Sequence, residues 1–278
     1  MIKTSKQLKD LIRNKAKGDS DKSGLLIRNY GMERFLERVT LSKYKDNFIL
    51  KGGMLVASMV GLENRATMDI DTSIRNLPLD MEHARRIVED IGAVKIDDNI
   101  RFEIKDISRI MDEAEYSGIR LSLTAFLDRM KIPLKIDIST GDVITPAEIT
   151  YRYKLMFEQR YISLWAYPLE TVLAEKIETV LSRGILNTRL RDFYDLYILQ
   201  QIDMQINRET LSTALVATCQ KRNSEPVLLN YVNILDEISE SRIMRNLWNS
   251  YQKKNNYATG ISWETVTNAV RILCDSCI

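Results

Sequence analysis

Asp69 and Asp71 stand two residues apart in the run Met68-Asp69-Ile70-Asp71-Thr72-Ser73-Ile74. The run is rich in Ile and Thr and reads as a strand. Alternate side chains of a strand share a face, so Asp69, Asp71 and Ser73 point one way, while Met68, Ile70 and Ile74 are expected in a core. Two carboxylates aimed jointly from one strand suit a cation; the plainer alternative is a strand face turned to water. Upstream, Phe48-Ile49-Leu50-Lys51 reads as an apolar strand, and Gly52-Gly53 open a helical run from Met54 to Val60. Glycines in that place let bare N–H groups approach an anion at a helix N-terminus. A further strand, Leu134-Lys135-Ile136-Asp137-Ile138-Ser139, repeats the alternation, with Lys135, Asp137 and Ser139 on the face away from the core. Set beside the first, it would gather Asp69, Asp71 and Asp137. Three such carboxylates repel one another unless a divalent cation neutralises them, and Mg²⁺ favours carboxylate and phosphate oxygen. Ions so seated can activate an attacking oxygen and stabilise a leaving one in a phosphoryl or nucleotidyl displacement.

A lysine falls where a helix should be dry. Leu169, Val172, Leu173, Ile177 and Val180 make one contiguous arc at about 100° per residue. Lys176 lies inside that arc, Arg183 follows on the same side, and Glu175 and Glu178 are expected toward solvent. A buried ammonium is costly unless it meets a phosphate or a carboxylate; the alternative is a stem that snorkels to water. In Arg189-Leu190-Arg191-Asp192-Phe193-Tyr194-Asp195-Leu196-Tyr197, Asp192 and Arg189 both lean to the packed side, with Asp195 at its edge. An inward Asp near an inward Lys is either a plain buried ion pair or the organiser of a phosphate site.

The elements that must hold these residues follow from periodicity and turn signals. Helices are expected over about Ser5 to Lys15, Lys22 to Ser42 and Asp80 to Ile91, and strands over Ile100 to Ile104 and Ile119 to Leu127. Tyr151 to Trp165 has mixed strand character; its basic, aromatic part, Tyr151 to Tyr161, is read as a sheet edge ahead of an RNA-binding module. Beyond Pro168 the pattern is helical throughout: Leu169 to Ser182, Arg189 to Gln200, Asn207 to Cys219, Val227 to Ile238, Arg242 to Tyr251 and Trp263 to Cys274. Mixed α and β gives way to helix near residue 166, so two lobes are expected, 1–165 and 166–278.

The 278 residues hold ample material for a core, and a net charge of +2 means that any surface for a polyanion must be local. Three cysteines, Cys219, Cys274 and Cys277, make no disulfide framework and point to a reducing cytoplasm, and with one histidine, His83, the Cys274-x-x-Cys277 pair lacks the partners of a zinc site. The opening residues carry no apolar signal segment, and no apolar run approaches the roughly 20 residues of a membrane helix.

Taken together, these segments resemble the AbiEii/AbiGii family of nucleotidyltransferase-like toxins, within the DNA polymerase β-type nucleotidyltransferase superfamily. The resemblance rests on Leu50-Lys51-Gly52-Gly53, Arg65-Ala66-Thr67-Met68-Asp69-Ile70-Asp71, Lys135-Ile136-Asp137-Ile138 with Gly141-Asp142, Tyr167-Pro168-Leu169 through Lys176, and Arg189 through Leu196. It covers about residues 48 to 199. It implies an α+β fold, a nucleotidyltransferase-type mixed sheet with flanking helices, and a helical C-terminal lobe that completes an active-site cleft. The roles it implies are metal for Asp69 and Asp71, triphosphate for Lys176 and an essential acid for Asp192. Asp137 joins them as third carboxylate on the strand argument. Nucleotide contacts are expected from Gly52, Gly53, Arg65, Thr67, Lys176, Arg183 and Arg189. The implied activity is Mg²⁺-dependent nucleotide transfer from a nucleoside triphosphate to the 3′ end of tRNA, by a cytoplasmic toxin of an abortive phage-infection system with a cognate antitoxin. Alternatives are an NTP-binding toxin or regulator, with GTP as one ligand, that makes no tRNA transfer, and transfer to a protein acceptor. The chain departs from the superfamily in having Gly53 where a serine is usual, and in a longer spacing from that turn to Asp69.

Overall fold

A computed structural model describes residues 1–110, 118–202 and 205–278. Thr4 caps the first helix, α1 (Ser5–Ala16), by accepting from the Gln7 N–H while the Gln7 amide oxygen accepts from the Thr4 N–H. That reciprocal pair satisfies two orphan donors of a helix start. Asp19 caps α2 (Ser20–Leu41) through the Lys22 N–H. α2 is buried on every side from Asn29 to Val39, not along a stripe alone. Its charges are tolerated there because they are paired: Arg38 grips both oxygens of Asp98 at 2.8 and 2.7 Å, and Arg34 lies 2.6 Å from Glu37. Gly31 allows the helix to close on the sheet, since a Cβ there would stand 3.1 Å from Ile132 and 3.2 Å from Leu134.

The sheet is mixed. Its strands are β1 (Phe48–Lys51), β2 (Ile70–Ile74), β3 (Ile100–Ile110), β4 (Gly118–Leu127), β5 (Met130–Thr140), β6 (Ile149–Lys154) and β7 (Tyr161–Ala166), in the order β3-β4-β5-β2-β1-β7-β6. β2 lies parallel to β5 and antiparallel to β1, so Asp71 faces Asp137 on one side and Lys51 on the other. β5 alternates as its sequence suggests, with Ile132, Leu134, Ile136 and Ile138 buried. β2 is shorter than expected. Its ladder with β5 starts at Ile70, and Met68, ahead of it, is 41% exposed and accepts from Arg28 Nη1 at 2.8 Å instead of entering the core. The ambiguous stretch after residue 150 resolves into a hairpin of β6 and β7, with β6 at the sheet edge. Between these strands lie α3 (Gly52–Val60), directly after β1, and α4 (Met81–Gly92), capped by Asp80.

The remaining helices are α5 (Leu169–Arg183), α6 (Leu190–Leu199), α7 (Arg208–Lys221), α8 (Pro226–Leu229), α9 (Tyr231–Glu240), α10 (Arg242–Lys254) and α11 (Trp263–Cys277). Val227 to Ile238, expected as one helix, breaks at Asn230, whose φ of −116° and ψ of 11° are not helical. The fold class is α+β. Two compact units divide the chain: one takes Met1–Ser58, Ala66–Asp142 and Ile149–Ala166, with the whole sheet, and the other Met59–Arg65, Val143–Glu148 and Tyr167–Ile278. In the second unit Phe193, Leu196, Trp248, Trp263 and Val270 are buried together with the inner faces of α5 and α7.

Candidate active site

In the first unit the chemistry gathers where β1, β2, β4 and β5 run side by side. Gly52 follows β1 with φ +61°, a conformation that disfavours any residue with a side chain. The space above it belongs to Asp71: a Cβ on Gly52 would stand 2.3 Å from Asp71 Oδ2. The same oxygen accepts from the Gly53 N–H at 3.0 Å. The Gly-Gly turn, expected to offer its donors to a phosphate, therefore directs one of them at a carboxylate of this chain. Asp71 is half-buried, and burial raises its pKa above the ordinary carboxylate value; the Gly53 N–H and Lys51 oppose that shift, while Asp137 and Asp69 add to it. Asp69 is half-buried just ahead of β2, and the buried Thr67 hydroxyl donates to its carbonyl at 3.4 Å.

Asp137 is held from the other side. Arg120, its register partner on β4, donates through Nε to Oδ1 at 2.8 Å and through Nη2 to Oδ2 at 2.6 Å. Asp137, with the lesser pull of Asp69 and Asp71, holds the guanidinium well above the ordinary arginine pKa against the cost of burial. Next to this pair Lys51 Nζ lies 2.7 Å from Asp142 Oδ2, which also accepts from the Ser139 hydroxyl at 2.6 Å. Burial works to raise the Asp142 pKa, and Lys51 with Ser139 and Ser73 overrides it, keeping the carboxyl well below the usual range. Four carboxylates, Asp69, Asp71, Asp137 and Asp142, thus share two cations, Lys51 of β1 and Arg120 of β4. Among the described residues no group of three His, Cys, Asp or Glu side chains is arranged as a ready metal cage.

The second unit holds a different cluster, centred on Asp195. Arg65 Nε and Nη2 donate to its two oxygens at 2.8 and 3.1 Å, and Lys176 Nζ lies 2.7 Å from Oδ2. Lys176 also donates to Asp192 Oδ1 at 2.8 Å. The lysine inside the apolar arc of α5 is therefore compensated by two carboxylates of α6. Burial would lower its pKa, but Asp192 and Asp195 outweigh that and hold the ammonium above the ordinary lysine value. Burial would likewise raise Asp195, yet Arg65 and Lys176 keep it well below the carboxylate range. Arg65, expected at a nucleotide, has a side chain only 1% exposed and lies in this ion pair. Arg189, expected on the packed side, is 54% exposed and reaches back to Asp192 Oδ2 at 3.1 Å, because it precedes the first turn of α6. Arg183 is half-buried in the last turn of α5. Glu178 is not turned to solvent: α7 packs on that side of α5, and Arg222 and the Ser224 hydroxyl meet the buried carboxylate.

Sequence reasoning missed Arg120, Asp142 as the partner of Lys51, and the central place of Asp195. Arg120 carries a weak signal, a cation on the polar parity of a strand predicted over Ile119 to Leu127, but only the register shows which acid it meets. Asp195 sits at the edge of a helical wheel drawn for α6 alone; its burial comes from Arg65 and Lys176, which lie far away in sequence.

Comparison with known proteins gives one family and a set of distant structural likenesses. Residues 34–269 match the model of a family described as nucleotidyl transferase AbiEii toxin, type IV toxin–antitoxin system. No curated protein sequence matches. Among solved structures, the chain is similar to JHP933 from Helicobacter pylori at 15% identity and a TM-score of 0.47, covering 88% of this chain and 89% of that one. An antigenic nucleotidyltransferase-like protein from Paracoccidioides brasiliensis is similar at 15% identity and a TM-score of 0.39, covering 72% of this chain and 90% of that one.

Proposed function

This chain belongs to the family of AbiEii nucleotidyltransferase toxins of type IV toxin–antitoxin systems, and from that premise we propose that it transfers a nucleotide, with Mg²⁺, from a nucleoside triphosphate to the 3′ end of tRNA. The observation that carries the transfer chemistry is the register of β2 on β5, which sets Asp71 opposite Asp137 with Asp69 at the entry to β2. The donors there are all carboxylate oxygen, and burial with like charge already pushes the Asp71 pKa up. An oxygen-seeking divalent cation fits such a set. Asp69 and Asp71 would hold it, and when bound it would neutralise charge on the triphosphate and on the displaced oxygens. Asp137 would complete the metal-holding set as its third carboxylate, opposite Asp71 in the register, and would also align or deprotonate the acceptor hydroxyl. Gly52 keeps Asp71 in place by leaving room for its carboxylate. In the second unit Lys176, with Arg183 or Arg189 in support, is the proposed phosphate-binding cation, and Asp192 orients its ammonium.

An RNA acceptor is supported by exposed cations on α10, Arg242, Lys253 and Lys254, in a chain whose net charge is only +2. The test is incubation of the purified protein with deacylated tRNA, Mg²⁺ and each labelled nucleoside triphosphate in turn, followed by sequencing of tRNA 3′ ends from growth-arrested cells. Label entering tRNA from one triphosphate, lost in Asp69→Asn and Asp71→Asn proteins with parental melting curves, is the expected result. Growth arrest with tight nucleotide binding and unextended tRNA would move the reading to a protein acceptor or to nucleotide binding without transfer.

A further inference from the structure

We propose that Arg120 is a built-in counter-cation that holds Asp137 out of reach of a divalent ion until that ion displaces it. The proposal rests on the reading of Asp69, Asp71 and Asp137 as the metal-holding carboxylates. Both oxygens of Asp137 are engaged by the Arg120 guanidinium, at 2.8 and 2.6 Å. A bidentate arginine pair is the strongest form of charge-assisted hydrogen bond, and it occupies the lone pairs that a cation would need. The geometry is imposed by the fold: Arg120 and Asp137 are register partners on β4 and β5, while Asp71 is the partner of Asp137 on β2. One carboxylate therefore has an arginine on one side and a second carboxylate on the other. Asp71 has a different environment: its carboxylate accepts the Gly53 N–H at 3.0 Å and lies in the field of Lys51.

The Arg120 side chain is 39% exposed and that of Asp137 only 16%. The guanidinium can therefore swing toward water while the carboxylate stays, which is the asymmetry that displacement requires. An ion arriving with a triphosphate would free the guanidinium for phosphate oxygen, a partner that suits its planar set of donors as well as a carboxylate does. Arg120 is thus a positioning residue that acts through Asp137.

The experiment measures Mn²⁺ affinity of the intact protein by calorimetry or by loss of the free-ion spin-resonance signal, without nucleotide and without reference to turnover. Arg120→Gln should bind Mn²⁺ roughly three- to tenfold more tightly than the parent, the scale of losing a partly exposed bidentate competitor. Lys135→Gln removes a positive charge from the same face of β5, two residues from Asp137, and should leave the affinity within about twofold if the effect is competition and not general field. The gain should vanish in the Arg120→Gln, Asp137→Asn double variant, because the coupling runs through that carboxylate. Equal affinity in Arg120→Gln and parent, an equal gain in Lys135→Gln, or a gain that survives in the double variant would each overturn the proposal while leaving the metal reading standing. No Mn²⁺ binding by parent or variant would end both.

Discussion

At Gly52 backbone conformation and a neighbouring carboxylate act on one atom position: φ is +61°, and a Cβ would stand 2.3 Å from Asp71 Oδ2. Gly52→Ala should therefore destabilise the protein by about 1–3 kcal/mol, the cost of left-handed strain with a displaced side chain. Urea unfolding would show it as a lower midpoint with an unchanged slope, and transfer activity should fall further than stability explains. Replacing Lys176 separates a lysine held only for a ligand from one that the fold itself needs. A lysine waiting only for a ligand could become Met without loss, but this one neutralises Asp192 and Asp195, whose side chains are 3% and 0% exposed. Lys176→Met should cost about 3–5 kcal/mol, because it strands buried carboxylates; a melting temperature at or above the parent's would contradict the ion-pair description. Lys176→Met with Asp192→Asn should recover part of that loss.

Among the elements, α2 shows how a buried helix carries charge. Glu33 accepts the Met156 N–H at 3.0 Å and the Asn29 amide at 3.0 Å, and burial pushes its pKa up to about 7, against those hydrogen bonds and Arg34. The folded chain then binds a proton more tightly than the unfolded one between about pH 4.5 and 7. Stability contributed by this group is present in full at the acid end of that window and is lost as pH rises through it. Melting temperatures of the parent should fall from pH 5 to pH 8, and Glu33→Gln, which keeps an acceptor for the Met156 N–H, should flatten that fall. The contacts of the β6–β7 hairpin are of the same kind: Arg160 of its loop lies 2.6 Å from both Glu37 of α2 and Glu158. That stretch reads from sequence as basic and aromatic, but Arg160 is committed to α2, and β6 presents an edge with Arg152 over the Tyr161 ring at 4.5 Å.

For the whole molecule, a surface for RNA has to come from exposed cations that the chain's own carboxylates do not already hold. Arg222 is taken by Glu178 and Arg245 lies 2.9 Å from Glu264, which leaves Arg242, Lys253 and Lys254 as exposed cations of α10. Replacing Lys253 and Lys254 by Gln should weaken tRNA binding and lower the slope of log affinity against log salt by about 1–2, with nucleotide affinity unchanged. An unchanged salt slope would place the acceptor elsewhere. Within the described residues no helix is long and apolar enough to cross a membrane. Local rules made much of the chain legible in advance: the period of two in β2 and β5 told which side of each strand Asp71 and Asp137 share, the glycines marked the turn after β1, and Pro168 with the arc of α5 announced the helical part. The AbiEii family followed from the same short motifs. What neighbours in space decide was not legible. Arg120 on Asp137, Asp142 on Lys51, Asp195 between Arg65 and Lys176 and the buried Glu178 each depend on a strand register or a helix packing between residues up to 130 positions apart. A sequence specifies the periodicity of its own elements, but the electrostatic partner of a buried charge is chosen by which elements fold against it.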